Sequence, residues 1–382
     1  MSSPAPKGLA KKLGRAALGL FIVFGAGLGV FSLFAGTRHY PLTGVAHQSS
    51  QLRGAYHVHT TASDGRGDLA DVADAAKRAG LSFVVVTDHN LKTLPEPRYL
   101  DGVLIVPGVE ESTHWGHLVA LGSSRPLTPS ERLRRPVDTV HELGGMAVLA
   151  HPVQPRNPWK DWDAGARADG FELVSGDTLL REAMRSPGRL FCSAGAYFAN
   201  PAHGLMLLNR PQPDGEAKLL ALSGAEPKVA LCSVDAHGLP PYRTEFETLS
   251  VYLPAEVVRL PEDPAAAAKL VLQALAEGRT YCSFDALGEG AGFALLGLSG
   301  PREGRVGDRL RVVLPPTGNA RARVVVAGAA ILDADAGTLL LDRPGPALVQ
   351  VQLEGPDCTT GEEWRPWIVT SPLMVRQADG GS

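Results

Sequence analysis

The sequence predicts an α/β fold with a parallel sheet, preceded by one long apolar helix and followed by a small all-β sandwich. Between about residues 51 and 290, short apolar runs alternate with stretches of helical periodicity, and this alternation is typical of parallel βαβ units. After residue 290, strand-like runs are separated by Gly, Pro and Asp without helical periodicity between them, which indicates a β-sandwich over 291–382.

The N-terminal run is long enough for a membrane anchor. Residues 16–35 carry no charge, and Ser32 is their only polar side chain. As a helix at about 1.5 Å per residue, this run would extend roughly 30 Å, which is the thickness of a bilayer core. We therefore expect a transmembrane anchor over 16–36.

The charges around this run predict its orientation. Four basic residues precede it and no acidic residue does, namely Lys7, Lys11, Lys12 and Arg15. By the positive-inside rule, residues 1–15 form a cytoplasmic tail, and the chain beyond a linker over 37–50 lies outside the cytoplasm as part of a single-pass membrane protein. Cleavage of the run as a signal peptide is the alternative, and it would yield a secreted protein.

The charge balance and the cysteine spacing exclude some classes of partner and motif. Residues 1–63 contain six basic side chains and no acidic one, so the rest of the chain has 31 basic and 40 acidic residues, a balance of −9. Such a body repels a polyanion, and we do not expect long nucleic acid as a partner. The four cysteines contain no CxxC pair, which excludes a zinc-ribbon or thioredoxin-type motif and leaves both free thiols and one or two disulfides open.

The predicted strands of residues 51–290 are apolar runs that end at polar residues. They cover 55–59, 82–87, 103–109, 117–121, 146–150, 170–174 and 228–234, and the sandwich strands cover 293–298, 310–314, 322–326, 338–341 and 347–353. Helices are expected over Asp68–Ala79 and from about Pro129 to Leu143, the second capped by Thr128 or Ser130. In α/β sheets, functional side chains gather at the carboxyl ends of the strands.

Six of the eleven histidines lie at or just past predicted strand ends, with carboxylates beside them. The segments are His57-Val58-His59 with Asp64, Asp88-His89, Glu110, His117, His151 and Asp235-Ala236-His237. In an extended strand, residues i and i+2 point to the same side, so the first and last segments can each present two ligands to one point. Leaving so many polar groups buried without partners would cost about 1–3 kcal/mol each. Because imidazoles mixed with carboxylates suit Zn, Mn or Fe, the pattern predicts a metal site.

In this order, the motifs HxH…D, TDH, GxE, GH, AHP and DxH resemble the motif set of the PHP (polymerase and histidinol phosphatase) family over residues 51–290. The resemblance implies a distorted seven-stranded (α/β) barrel with two or three divalent ions at the carboxyl ends of its strands. The segments 195–201 (GAYFANP), 235–238 (DAHG) and 365–369 (RPWIV) resemble the CehA/McbA-like branch of metallohydrolases.

The PHP resemblance also implies a ligand set for each ion. A first ion would be held by His57, His59, Glu110 and Asp235. A second would be held by Glu110, His117 and His151, with Glu110 as the bridge. A third would be held by Asp64, His89 and His237. Many relatives begin with DxH or carry a third histidine near the Asp64 position, so the choice among Zn, Mn and Fe and the occupancy of the third place stay open.

This site predicts a metal-dependent hydrolase, in first place a phosphoesterase that acts on a small molecule. A water shared by two ions loses its proton near neutral pH and would attack a phosphoryl or acyl centre as a bridging hydroxide. Glu110, Asp235 and His237 would serve catalysis by holding the ions. Carboxylic ester or carbamate hydrolysis, an exported nucleotide phosphatase or nuclease and, least favoured, a non-enzymatic metal-binding adhesion module are the alternatives.

Two further side chains allow more than one role. Arg243 follows the last motif, so it would clamp a phosphate or carboxylate of the substrate or form a surface salt bridge with Glu245 or Glu247. Asp88 lies beside His89, where it would orient a ligand or cap the following turn. The sequence does not choose between these roles.

Overall fold

The computed structural model describes residues 7–37, 51–224, 227–317, 320–333, 337–356 and 362–378. The helices are α1 (Lys7–Thr37), α2 (Leu69–Arg78), α3 (Pro129–Arg134), α4 (Pro136–Glu142), α5 (Trp162–Gly165), α6 (Gly176–Met184), α7 (Pro187–Ala199), α8 (Pro201–Met206), α9 (Pro213–Leu222), α10 (Tyr242–Thr248) and α11 (Pro264–Ala276). The first strands are β1 (Arg53–Val58), β2 (Phe83–Val86), β3 (Arg98–Leu100), β4 (Val103–Ser112), β5 (His117–Leu121), β6 (Met146–Leu149), β7 (Gly170–Ser175), β8 (Val229–Ser233), β9 (Ser250–Tyr252) and β10 (Tyr281–Ser283). The remaining strands are β11 (Ala294–Leu296), β12 (Glu303–Arg305), β13 (Arg309–Val313), β14 (Ala322–Gly328), β15 (Ala330–Asp333), β16 (Thr338–Leu341), β17 (Gly345–Pro356), β18 (Glu362–Thr370) and β19 (Leu373–Arg376).

The central strands are mostly parallel, with one exception that matters for the site. Strands β1, β2 and β4 pair in parallel, and so do β6, β7 and β8. Strand β5 is antiparallel to both β4 and β6, contrary to the expectation of βαβ units throughout. Only residues 113–116 separate β4 from β5, and a link this short cannot form a parallel crossover. The start of β5 therefore lies at the same sheet edge as the end of β4.

The seven-stranded barrel is found only in part, as a mixed α/β sheet. The pairing of named strands gives an open order in which β8 is an edge strand, so no ladder closes the sheet among the described residues. The carboxyl end of β1 meets the segment after β8, where Val234 N donates to Tyr56 O at 3.1 Å and His59 N donates to Ala236 O at 2.9 Å. These bonds place the segment after β8 beside the end of β1.

The central strands are buried on both faces, which explains their continuous apolar composition. In β2, Val84 and Val86 belong to one apolar cluster, which also contains side chains of α2. Phe83 and Val85 point to the opposite face and belong to a second cluster, which contains side chains of α11. Successive side chains of the strand therefore point to opposite faces and contribute to both apolar clusters.

The predicted C-terminal strands are present and form two sheets. Strand β18 pairs with β10 and β17, and β10 pairs with β9, so this sheet is continuous with β1. Strands β11, β13, β16 and β15 form a separate four-stranded sheet. An apolar cluster that includes Leu310, Leu339, Val349 and Val375 joins elements of the two sheets. The domain boundary at residues 290 and 291 stays a prediction.

The two predicted helices form, and each begins at a capping residue, but the second is divided. Asp68 caps α2 by accepting from the backbone N–H groups of Ala70 and Asp71. Thr128 caps α3, which ends before Arg135. A single helix from Pro129 to Leu143 was expected, and Pro136 divides it, because proline cannot donate the i to i−4 hydrogen bond.

No helix among the described residues is long and apolar enough to cross a membrane. The prediction of a transmembrane anchor over 16–36 is therefore wrong, and so is the single-pass placement built on it. The predicted linker lies outside the described residues except for Thr37, which ends α1.

One disulfide holds β8 near the C-terminal strands. Cys232 of β8 is bonded to Cys282 of β10, with Cα atoms 6.0 Å apart. Cys192 is also disulfide-bonded, and Cys358 lies outside the described residues. The free-thiol alternative is thus excluded for the described cysteines.

A buried arginine joins the C-terminal sheet to the segment after α8. Arg365 of β18 is fully buried, and its guanidinium donates to the carbonyl oxygens of Leu207 at 3.2 Å and Asn209 at 2.8 Å. Its other terminal nitrogen pairs with Glu363 at 3.1 Å. The planar, permanently charged guanidinium satisfies several acceptors at once in a buried region.

We expect Arg365→Ala to lower the free energy of unfolding by about 3 kcal/mol or more, since buried carbonyls would lose charged donors. As a control, Arg309→Ala removes an exposed arginine that pairs with Asp333 at 3.1 Å, and it should cost less than about 1 kcal/mol. Urea unfolding of both variants measures the difference. Equal losses would show that Arg365 does not stabilise this junction.

Candidate metal centre

The predicted ligands reach one place from the segments at or after the ends of β1, β2, β4, β6 and β8 and from the start of β5. His57, His151 and Asp235 have φ angles of +70°, +32° and +52°. Such left-handed conformations are costly for residues other than glycine and occur most often at functional sites. The register between β1 and β2 also shifts between Tyr56 and Val58. A bulge, rather than the regular extended strand that we assumed, therefore directs His57 into the site.

The first group of side chains is buried and tightly clustered. His57, His59, Glu110 and Asp235 bring one ligand atom each to within 4.8 Å of the others. Glu110 Oε2 lies 3.0 Å from His57 Nε2 and 3.2 Å from His59 Nε2. Asp235 Oδ1 lies 3.5 Å and 3.3 Å from the same two nitrogens. These four residues are the set that the family resemblance implies for a first ion.

Glu110 directs its two oxygens to two different sets of imidazoles. Oε2 faces the first group and also lies 3.3 Å from His89 Nδ1. Oε1 lies 2.8 Å from His117 Nδ1 and 3.1 Å from His151 Nε2. His117 reaches this point because antiparallel β5 begins at the edge where β4 ends. The carboxylate thus has the position of a bridge between two sets of ligands.

A third group lies toward the surface. His59, Asp64, His89 and His237 also bring ligand atoms to within 4.8 Å of one another. Asp64 is 3.6 Å from His89 Nε2 and 3.5 Å from His237 Nε2, and 56% of its side chain is exposed. The structure adds His59 to the three residues that the resemblance implies, and it brings all nine predicted ligands to one region.

The arrangement fits metal ions better than a network of hydrogen bonds. Both ring nitrogens of His59 and the Nδ1 atoms of His89, His117 and His151 are buried without a hydrogen-bond partner. His117 Nδ1 lies close to Glu110 but is not aligned for a hydrogen bond. With metal–ligand distances of about 2.0–2.2 Å, neighbouring ligands of a tetrahedral or octahedral ion lie roughly 3.0–3.5 Å apart. Most of the separations within the first group and around Glu110 have this size.

The electrostatics of the cluster demand positive charge. Burial by itself raises the pKa of Glu110, but the imidazoles of His57, His117 and His151 hold it well below its ordinary value. Burial by itself lowers the pKa of His59, but the carboxylates of Asp235 and Glu110 raise it to about 9. The two carboxylates thus remain ionised inside the protein, because the imidazoles around them favour the charged form.

Glu172 supports the ligands, and the sequence analysis did not single it out. Its Oε1 is 2.7 Å from His57 Nδ1, and its Oε2 accepts from His151 N at 2.8 Å. A carboxylate on Nδ1 fixes the histidine tautomer and leaves Nε2 for the metal. The available signal was a lone carboxylate within the buried strand Gly170–Ser175.

Asp88 holds the loop that carries Asp64. It accepts hydrogen bonds from Thr60 N and Thr60 Oγ1, both at 2.7 Å, and from Ser63 Oγ at 2.6 Å. Of the two roles considered for Asp88, these contacts favour support of a ligand segment over capping of the turn that follows His89.

A cavity of about 440 Å³ opens over the ligand cluster and includes Arg156 and Arg181 in its lining. Arg181 pairs with Asp177 at 2.5 Å, whereas Arg156 is exposed and has no ion pair with a described residue. Arg243 lies outside this lining and pairs with Glu247 at 2.7 Å. The surface salt bridge, and not the substrate clamp, is therefore the arrangement that the structure shows for Arg243.

No protein-family model matches the chain, and no curated protein matches it. Structures similar to it include a two-domain protein containing a predicted PHP-like metal-dependent phosphoesterase from Bacteroides vulgatus, with a TM-score of 0.42, 13% identity and coverage of 85% of this chain and 95% of that one. Others are an amidohydrolase from Chromobacterium violaceum (TM-score 0.30, 16% identity, 48% and 87% coverage) and a protein from Bifidobacterium adolescentis assigned as a metal-dependent phosphoesterase (TM-score 0.31, 15% identity, 48% and 87% coverage). Similarities this low do not support a conclusion about the chemistry of this chain. Its resemblance to the CehA/McbA-like branch stays a prediction.

Proposed function

We propose that this chain is a metal-dependent hydrolase that cleaves small-molecule phosphoesters with two or three divalent ions. The position of Glu110 carries the proposal. Its buried carboxylate faces His57 and His59 with one oxygen and His117 and His151 with the other. Many of the surrounding imidazole nitrogens have no hydrogen-bond partner among the described residues.

The donor set indicates which residues would hold each ion. A first ion would be held by His57, His59, Glu110 and Asp235, a second by Glu110, His89, His117 and His151, and a third by His59, Asp64, His89 and His237. Nitrogen and oxygen donors of this kind suit Zn, Mn or Fe. When bound, such ions polarise the scissile ester and lower the pKa of water.

The residues of the chain itself bind and orient the substrate. Arg156 and Arg181 line the cavity over the cluster, and a guanidinium binds two phosphoryl oxygens in a bidentate geometry. Gln154 and Asp177 are hydrogen-bonded to each other, and Asp177 also fixes Arg181. Anchoring by these side chains supports recognition of an anionic ester of small size, since the acidic body repels a long polyanion.

Glu110→Gln should lose one metal of the bridged pair and nearly all turnover, because the variant lacks the charge that offsets repulsion between two close ions. We expect turnover to fall by more than the roughly 100-fold that loss of an outer hydrogen-bond partner costs. The measurements are elemental analysis and hydrolysis of p-nitrophenyl phosphate by the full chain, each before and after chelation.

Glu111→Gln is the matched control for Glu110→Gln. Glu111 is the next residue of β4 and is also buried, but it accepts from Leu127 N at 2.7 Å and from Arg132 at 3.0 Å. This variant should keep its metals and its turnover. Full metal content and undiminished turnover in Glu110→Gln would exclude the bridge. Hydrolysis of carboxylic esters or carbamates alone would replace the phosphoester assignment, and hydrolysis of nucleotides alone would narrow it to nucleoside phosphates.

His237→Ala should lose at most one equivalent of metal and keep some turnover. His237 contributes to the outer group and not to the group formed by His57, His59, Glu110 and Asp235. Elemental analysis of this variant beside wild type provides the measurement. Loss of every ion would show that the outer and inner groups do not bind independently.

Glu172→Gln should weaken metal binding by about 10- to 100-fold, because the imidazole of His57 would lose its charged partner. The dissociation constant for zinc, measured by competition with a chelator, reports this effect without reference to turnover. Glu111→Gln again serves as the control for loss of a buried carboxylate. An unchanged zinc affinity in Glu172→Gln would mean that Glu172 does not position His57.

A further inference from the structure

A second cavity, of about 340 Å³, lies beside the metal centre. It shares wall residues with the cavity over the ligand cluster, among them Asp177, Arg181 and His237. A molecule whose ester lies at the metal ligands is therefore able to extend directly into the second cavity. A volume of this size is at the lower end of the range for small-molecule sites.

The walls of the second cavity are mainly aliphatic. They come from α6, from the α8 region, from the segment after α10 and from the segment after β10, and they include Leu179, Leu180, Leu205, Leu208, Leu249 and Phe284. Its polar wall residues are largely satisfied within the protein. Thr248 Oγ1 donates to Thr244 O at 2.7 Å, and Asp177 pairs with Arg181. The cavity therefore suits an apolar group.

Glu245 of α10 is the exception in this apolar wall. It lines the cavity, and its Oε2 atom is buried without a hydrogen-bond partner. A buried carboxylate oxygen without a hydrogen-bond partner is destabilising, and its position in the cavity wall points to a ligand. Burial raises the pKa of Glu245 well above its ordinary value, and the charges of Asp235 and Asp177 raise it further. A cationic group near Oε2 would remove this penalty.

We propose that the second cavity binds the aliphatic part of the substrate and that Glu245 recognises an ammonium group on it. The inference rests on the proposed phosphoesterase function and assigns its substrate class, an alkyl phosphoester that bears an amine. Of the carboxylates that line the cavity, Asp64 and Asp235 belong to the candidate metal ligands and Asp177 pairs with Arg181, which leaves Glu245 as the acceptor for the ammonium. An ammonium supplies three hydrogen-bond donors together with the charge that this surface lacks.

Binding of simple probes tests the cavity independently of hydrolysis. Isothermal titration calorimetry on the full-length, metal-loaded protein would compare n-hexylamine with 1-hexanol, which has the same aliphatic chain. We expect hexylamine to bind at least about tenfold more tightly, since a charge-assisted hydrogen bond is stronger than a neutral one. Glu245→Gln should remove this preference and leave hexanol binding unchanged.

Glu247→Gln is the matched control, since Glu247 lies on the same helix and pairs with Arg243 outside the cavity. It should bind both probes like wild type, and thermal unfolding of both variants checks that each is folded. Equal affinity for the two probes, no binding of hexylamine, or an unchanged preference in Glu245→Gln would each overturn the proposal.

A substrate pair separates this inference from the proposed function. For 6-aminohexyl phosphate and hexyl phosphate, the wild type should show a KM at least about tenfold lower for the amine, and Glu245→Gln should show similar KM values for both. Absence of turnover with both esters, together with selective binding of hexylamine, would refute the phosphoesterase and leave the ammonium site intact. Turnover of both esters with equal KM in the wild type would refute the ammonium site alone.

Discussion

The organisation of this protein depends on keeping Glu110 and Asp235 ionised inside a buried cluster of imidazoles. Among the described residues, every ion pair of these two carboxylates is with a histidine, and none is with an arginine or lysine. Buried charge of this kind is stable only where several opposite charges or metal ions converge. The backbone is arranged to satisfy that condition, and it does so at the cost of left-handed conformations at three of the ligand positions.

Two features of the sheet bring the cluster together. Reversal of β5 places His117 at the edge where β4 delivers Glu110, so the two paired strands supply facing ligands. The backbone hydrogen bonds beyond β1 and β8 place Asp235 beside His57 and His59. The disulfide between Cys232 and Cys282 restrains β8 just before this junction, since a covalent link limits the separation of the segments it joins.

Two carboxylates outside the predicted ligand set hold the ligand segments in position. Glu172 bonds to a ring nitrogen of His57 and to the backbone of His151, and thus joins two ligand segments. Asp88 likewise accepts hydrogen bonds from Thr60 and Ser63, and so holds the loop before Asp64. Outer partners of this kind set the orientation and tautomer of the ligands and are part of the metal site in a physical sense. In front of the cluster, a polar cavity and a mainly aliphatic cavity share several wall residues.

The sequence by itself determined the local features, namely the alternating α/β pattern, most strands and the identity of the nine candidate ligands. These follow from periodicity and from polar residues at apolar strand ends, which are properties of neighbouring positions. Only the tertiary structure decided the reversal of β5, the pairing of Glu172 with His57, the placement of Arg243 outside the site and the open order of the sheet. Each of these depends on which segments meet in space. The prediction of a membrane anchor was wrong, because no helix among the described residues is long and apolar enough to cross a membrane.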